Sequence, residues 1–244
     1  MYLCPKAVRR AILRMAKAGD YGHIGPSFSL VEILIAVTER MAEQDVLLLS
    51  KGHGVQAWYG VQYVKGELGD ADIDGFLRNG SALRGVSPFG ALGHGLPVGV
   101  GMALADRSRR IYVVVGDGEL NEGSCWEAIM TAAQWRLSNL HVLVDQNGYQ
   151  AMGPTQDVIA MEPLRDKFEV FGWLAQDVTA GNSTEAIRKG FSRVYDMRDS
   201  YYHPKALVCR TTKGQGVSFM KNQNDWHYRK LTPELYDAAM GELV

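Results

Sequence analysis

Ile111-Tyr-Val-Val-Val-Gly-Asp-Gly118 and Leu140-His-Val-Leu-Val-Asp-Gln-Asn147 decide the fold. Each is a short run of aliphatic and β-branched residues that ends in a polar turn, the pattern of a strand buried on both faces of a parallel sheet. Between them Glu122 to Leu137 predicts a helix, and strand, helix and strand within about thirty residues make one βαβ crossover. The alternation continues outward. Val46–Leu49 predicts a short buried strand ending at Ser50-Lys-Gly-His53, and Leu96–Ala105 a helix packed closely through small residues. Further strands are expected at Leu174–Val178 and Ala206–Arg210, with a helix over Glu185–Met197 between them. Ser29-Leu-Val-Glu32 has the spacing of a capping box opening a helix to about Met41, and Pro233 starts a last helix running to Gly241. The expected fold is therefore α/β, a mostly parallel sheet with helices on both faces, in which ligands sit beyond the carboxyl ends of the strands. With no internal repeat, low-complexity tract or linker, residues 1–244 read as one domain.

Composition narrows the function. The 244 residues carry 26 Lys+Arg against 27 Asp+Glu, a formal net charge of -1, which gives no footprint for nucleic acid or an anionic membrane. At 46% hydrophobic and 22% charged, the chain is neither disordered, collagenous nor a coiled coil. Cys4, Cys125 and Cys209 are odd in number and widely spaced, which fits reduced thiols in the cytoplasm better than a disulfide framework. The longest charge-poor stretch, Phe89 to Ala105, is too short and too rich in glycine to span a bilayer. Lys6, Arg9, Arg10, Arg14 and Lys17 precede the first acid, Asp20, as in transit peptides. Val8, Ile12, Leu13 and Met15 interleave with them at helical spacing, which favours a basic first helix.

The chemistry gathers at two strand ends. Asp117 and Asn147 follow consecutive strands, so a carboxylate and an amide oxygen face one point, with the Tyr149 carbonyl two residues on. Such a hard-oxygen set suits magnesium (or calcium), with magnesium filling its octahedron from phosphate oxygens and water. Gly118 lets the backbone approach a ligand, and a helix N-terminus near Glu122 adds amide donors toward an anion. A dinucleotide loop fits less well, because the third glycine is missing and Asp117 would repel a pyrophosphate unless a cation lay between them. There is no Walker-type Gly-Lys-Ser/Thr. Taken singly, Asp117-Gly118 and Asn147-Gly148 are ordinary turn dipeptides; it is their succession after two strands that points to a site.

Gly116-Asp-Gly-Glu-Leu-Asn-Glu-Gly123 with Asp145-Gln-Asn-Gly-Tyr149 resembles the thiamine diphosphate motif. More closely, the chain resembles the N-terminal, diphosphate-binding half of transketolase over almost its whole length. The matching segments include Tyr21-Gly-His-Ile-Gly25, Leu49-Ser-Lys-Gly-His53, Gly90-Ala-Leu-Gly-His-Gly95, Trp126-Glu-Ala128, Thr212-Lys-Gly-Gln-Gly-Val-Ser-Phe219 and Trp226-His227. The resemblance implies a thiamine diphosphate-binding domain. In it Asp117, Asn147 and the Tyr149 carbonyl hold the metal, while Gly118, His53 and His227 contact the diphosphate. The backbone at Gly90 and Leu92 faces the aminopyrimidine, and His23 and His53 line the floor where the sugar reacts. Neutral imidazoles there are able to shuttle protons from sugar hydroxyls. Glu122 and Glu127 would ordinarily be solvated charges favoured by a helix N-terminus; the resemblance implies an acidic proton relay at a subunit contact. His94, where the family has glutamine, is left open between structure and site.

The resemblance also implies what is missing. The glutamate that activates the cofactor comes from a following pyrimidine-binding domain, so this chain looks like one subunit of a split transketolase. It would require a separate C-terminal-half chain, in an α2β2 arrangement, to transfer a two-carbon ketol unit between sugars or sugar phosphates. Two departures bear on the substrate. Ser81-Ala-Leu-Arg-Gly-Val-Ser-Pro88 lacks the histidine usual near that place, and Tyr228-Arg-Lys230 stands where the family prefers glycine. Both point to a donor or acceptor other than the usual pentose phosphates. The alternatives are the α subunit of a 2-oxo acid dehydrogenase, which shares the Gly-Asp-Gly to Asn signature, and a non-catalytic cofactor-binding regulatory subunit.

Overall fold

The computed structural model describes residues 3–76 and 87–244. Six strands, β1 (Val46–Leu49), β2 (Ser87–Pro88), β3 (Ile111–Gly116), β4 (Leu140–Gln146), β5 (Leu174–Val178) and β6 (Lys205–Arg210), form one sheet in the order β2-β1-β3-β4-β6-β5. Every pairing is parallel. The helices are α1 (Pro5–Gly19), α2 (Ile24–Arg40), α3 (Val55–Lys65), α4 (Asp70–Asp74), α5 (Gly95–Ala105) and α6 (Gly123–Gln134). The remainder are α7 (Thr155–Val158), α8 (Leu164–Val170), α9 (Thr184–Asp196) and α10 (Pro233–Glu242).

Alternate strand residues serve two cores, as the period of two requires. Leu47, Leu49, Tyr112, Val114, Leu143 and Leu207 pack with α1, α2, α3 and α9, whereas Leu48, Val113, Val115, Val142, Val144 and Val208 pack with α5, α6 and α8. β3 is buried at all six positions, which explains its unbroken apolar sequence. α2 is enclosed almost all round, from Ile24 to Val37, as expected of a helix that is apolar on every side.

β2 was not anticipated; α1 is the expected basic first helix, and β1, β3, β4, β5, β6, α5, α9 and α10 fall where the sequence predicts them, within a residue or two. The capping box does not. α2 begins at Ile24 with His23 as N-cap, and Ser29 and Glu32 lie inside it. Spacing i, i+3 also puts two residues on one helix face, and here that face is internal. Ser29 Oγ donates to Asp145 Oδ2 at 2.6 Å, and Glu32 accepts from both terminal nitrogens of Arg9 at 2.8 Å. α3, α4, α7 and α8 were not anticipated; α3 is too evenly apolar to show a helical stripe. α6 starts at Gly123, after a 3-10 turn over Gly118–Asn121. Among the described residues no helix is long and apolar enough to cross a membrane.

Arg9 and Glu32 are each 4% exposed, and Arg9 also donates to the Phe28 carbonyl at 3.0 Å. Removing one partner leaves a charge buried without compensation. Glu32→Ala should therefore lower the unfolding free energy by about 3–5 kcal/mol, measured by urea titration, while Arg9→Met/Glu32→Leu together should cost far less.

Candidate active site

Parallel pairing of β3 with β4 sets Gly116 opposite Asp145, so both loops leave the sheet side by side. The loop after β1 carries Lys51 and His53, and the loop after β6 carries Thr211 and Lys213. The chain departs from β1 in both directions, to β2 on one side and β3 on the other. A cleft of about 550 Å³ opens at this switch, where doubly wound sheets bind ligands.

Asp117 is 3% exposed and accepts only from neutral donors: Gly118 N–H at 2.9 Å, Gly148 N–H at 2.8 Å and Thr155 Oγ1 at 3.2 Å. Burial, then the nearby Asp145, pushes its carboxyl up to about 6 against the pull of those N–H groups. Asn147, 8% exposed, points Nδ2 at Asp145 Oδ2 (3.1 Å) and receives the Tyr149 N–H on Oδ1 (3.1 Å). Asp117, Asn147 and the half-buried Tyr149 all line the cleft. Among the described residues no three His, Cys, Asp or Glu side chains form a metal cluster by themselves. A magnesium ion held here would need few protein oxygens and would draw the rest from a bound phosphate and water. A Cβ at Gly118 would lie 2.6 Å from Gln150 Cγ, so this position accommodates no side chain while Gln150 keeps its bond to Asn121 Oδ1.

The three predicted histidines meet in the same cleft. Ring centroids lie 5.3 Å apart for His23–His53, 5.5 Å for His23–His227 and 5.3 Å for His53–His227. His23 takes a left-handed backbone (φ 57°), strain of the kind that collects at functional sites. The neighbouring Gly22 admits no other residue, since a Cβ would sit 2.2 Å from the Tyr228 carbonyl oxygen. That contact lays the Trp226–Tyr228 segment against the start of α2 and brings His227 to His23. Burial, the largest cause in each case, pushes all three imidazoles down: His23 below its ordinary value, His53 well below, and His227 to about 3. Three neutral rings at pH 7 give the floor both proton donors and acceptors. His23 Nδ1 is buried without a hydrogen-bond partner.

Gly90 and Leu92 line the rim, and nothing lies within 4 Å of a Cβ placed on Gly90. Glu122, exposed, also lines the cleft; Glu127, exposed on α6, does not. His94 is exposed outside the cleft, with Nδ1 3.0 Å from the Leu92 carbonyl oxygen. Tyr228 stands edge-on to His23 at 4.9 Å and is 60% exposed. The Ser81–Val86 stretch lies outside the described residues.

Sequence reasoning missed the charges beneath the cleft. Lys51 and Lys213 are 2% and 0% exposed. Lys213 Nζ lies 2.8 Å from His227 Nδ1, and burial followed by Lys51 pushes its ammonium down to about 7. While protonated it only donates, so His227 keeps its own proton on Nε2. Glu119 is likewise buried, accepting from Ser50 Oγ, Gly93 N–H and Gly116 N–H. The available signal was position: each lysine precedes a glycine in a loop that follows a strand.

Two buried lysines, three imidazoles and a carboxylate–amide pair suit a diphosphate carried with a divalent cation. The family model for the transketolase thiamine diphosphate-binding domain matches residues 34–237. The chain is 34% identical to one of the subunits of apulose-4-phosphate transketolase from Actinobacillus succinogenes, over 98% of this chain and 94% of that protein. It is 35% identical to the 6-deoxy-6-sulfo-D-fructose transketolase subunit SqwG of Clostridium sp., over 97% and 93%. Transketolase from Campylobacter jejuni superposes with a TM-score of 0.88 at 23% identity, a likeness of fold. That match covers 98% of this chain but only 42% of the other, so the chain spans about two-fifths of the solved transketolases it matches.

Asp117→Asn removes the buried charge and keeps an acceptor for Gly148 N–H. The folded protein holds the Asp117 proton more tightly than the unfolded chain, so ionisation costs stability as pH rises from 3.8 to about 6. Above that window the variant should be more stable than the parent by about 1–3 kcal/mol, and below it the two denaturation curves should converge.

Proposed function

We propose that this chain, which belongs to the transketolase thiamine diphosphate-binding family, is the diphosphate- and magnesium-binding subunit of a two-component, cytoplasmic ketol transferase. It works as a single diphosphate-binding domain over residues 1–244. A separate C-terminal-half subunit supplies the pyrimidine-binding domain, in an α2β2 complex. The reaction moves a two-carbon ketol unit between sugars or sugar phosphates. The observation that carries the reading is the convergence of His23, His53 and His227 with Asp117 and Asn147 in one cleft at the carboxyl ends of the strands.

Asp117, Asn147 and the Tyr149 carbonyl would hold the cation, and Gly118, His53 and His227 the diphosphate. Gly90 and Leu92 would present backbone groups to the aminopyrimidine. The cofactor supplies the electron sink for breaking a carbon–carbon bond beside a carbonyl. The chain's own task is to bind, orient and move protons. His23 and His53, held neutral, take a proton from a sugar hydroxyl and return it. While protonated, Lys213 keeps the proton of His227 on Nε2, where it would donate to an anion. Glu122 and Glu127, exposed at the start of α6, are free to join a relay completed by the partner. Val98, Leu104 and Met130, exposed apolar side chains on α5 and α6, are consistent with a face covered in the complex.

Tyr228, exposed and edge-on to His23 where the family prefers glycine, supports a donor or acceptor outside the usual pentose phosphates. The named relatives act on apulose 4-phosphate and 6-deoxy-6-sulfo-D-fructose; this chain's own sugar is to be sought among such less common ketoses.

The test is reconstitution. The chain, its partner subunit, thiamine diphosphate and magnesium should together transfer two carbons from a ketose to an aldose, and omission of any one should abolish the reaction. His53→Ala and His23→Ala should each lower kcat/KM by about 10²–10⁴-fold. Xylulose 5-phosphate with ribose 5-phosphate should be a poor pair. Cofactor binding without carbon–carbon cleavage for any ketose would overturn the proposal.

A further inference from the structure

Asp145 has no exposed surface, yet four side-chain donors converge on it. Oδ2 accepts from Ser29 Oγ of α2 at 2.6 Å, Lys51 Nζ after β1 at 2.5 Å and Asn147 Nδ2 at 3.1 Å. Oδ1 accepts from Thr211 Oγ1 after β6 at 2.5 Å. The donors thus come from α2 and from the loops that follow β1, β4 and β6, the walls of the cleft. None of the roles assigned above uses this carboxylate.

Its chemistry constrains one of those roles. An ionised carboxylate only accepts, so the Asn147 amide must turn its NH2 toward Asp145. The Tyr149 N–H, which only donates, sits against the Asn147 oxygen. The two neighbours make opposite demands and together fix which end of the amide faces the cleft.

We propose that Asp145 is a positioning residue that acts through Asn147, holding its amide oxygen in the orientation a divalent cation requires while Lys51 balances the buried charge. The proposal rests on the reading of Asp117 and Asn147 as cation ligands. Groups that orient a metal ligand typically govern affinity by roughly tenfold to a hundredfold.

The experiment is calorimetric titration of magnesium into the chain with thiamine diphosphate and the partner chain present. Asp145→Leu in a Lys51→Met background removes both charges, and in the Lys51→Met reference Ser29, Asn147 and Thr211 still donate to the Asp145 carboxylate. Relative to Lys51→Met, magnesium affinity should fall roughly tenfold to a hundredfold. Asn147→Ala should weaken binding at least as much, and adding Asp145→Leu to Asn147→Ala in the Lys51→Met background should cost little more, because the two residues act in series. Asp145→Glu, which keeps the charge and moves the carboxylate by one methylene, should weaken magnesium in the same direction and serves if the leucine variant does not fold. Undiminished affinity in the Asp145 variants, or losses that multiply with those of Asn147→Ala, would overturn the positioning role alone. Absence of magnesium-dependent binding in the unmodified protein would instead overturn the assignment of Asp117 and Asn147 as ligands, and this role with it.

Discussion

The parallel register that sets Gly116 against Asp145 governs the rest of the molecule. Side chains alternate along a strand, so slipping the pairing by one residue would exchange the two cores. It would also pull the Asp117 turn away from the Asn147 turn. The register is held by fit, because Tyr112 stacks on His141 in one core while the smaller Val113 and Val115 pack in the other. The packing that stabilises the sheet and the geometry that gathers the site are therefore one constraint.

The site strains the fold it stands on. Asp117, Glu119, Asp145, Lys51 and Lys213 all lie beneath the cleft with less than a tenth of their surface exposed. Burying charge opposes folding unless partners compensate. Asp145 is compensated by Lys51 together with three neutral donors. Asp117 and Glu119 have only neutral donors and Lys213 stands against a histidine; burial pushes both carboxyls up, Asp117 to about 6, and the lysine down to about 7. The groups left short of compensation are those that line the cleft.

Much of this was legible in the sequence. All strands but the two-residue β2 were readable because a sheet buried on both faces leaves continuous apolar runs, and Asp117 and Asn147 because each follows such a run. His23, His53 and His227 came from motif resemblance; nothing in their spacing puts residues 23 and 227 together. The helix start at Ile24 was hidden because Ser29 and Glu32 satisfy a capping pattern that is equally an i, i+3 pair on an inward face. Lys51, Asp145 and Lys213 escaped notice for a related reason. A charged residue in a sequence reads as solvated, and only the folded arrangement reveals that Ser29, Thr211 and Asn147 surround one carboxylate.

The contact between Gly22 and the Tyr228 carbonyl has a consequence for biosynthesis. It joins a residue ahead of the first strand to one beyond the last, so His227 reaches His23 only after the whole sheet has been translated. A nascent chain that has paired all its strands still lacks one ring of the histidine group. A chain truncated between β6 and Trp226 would therefore keep every strand of the sheet and carry a half-built cleft.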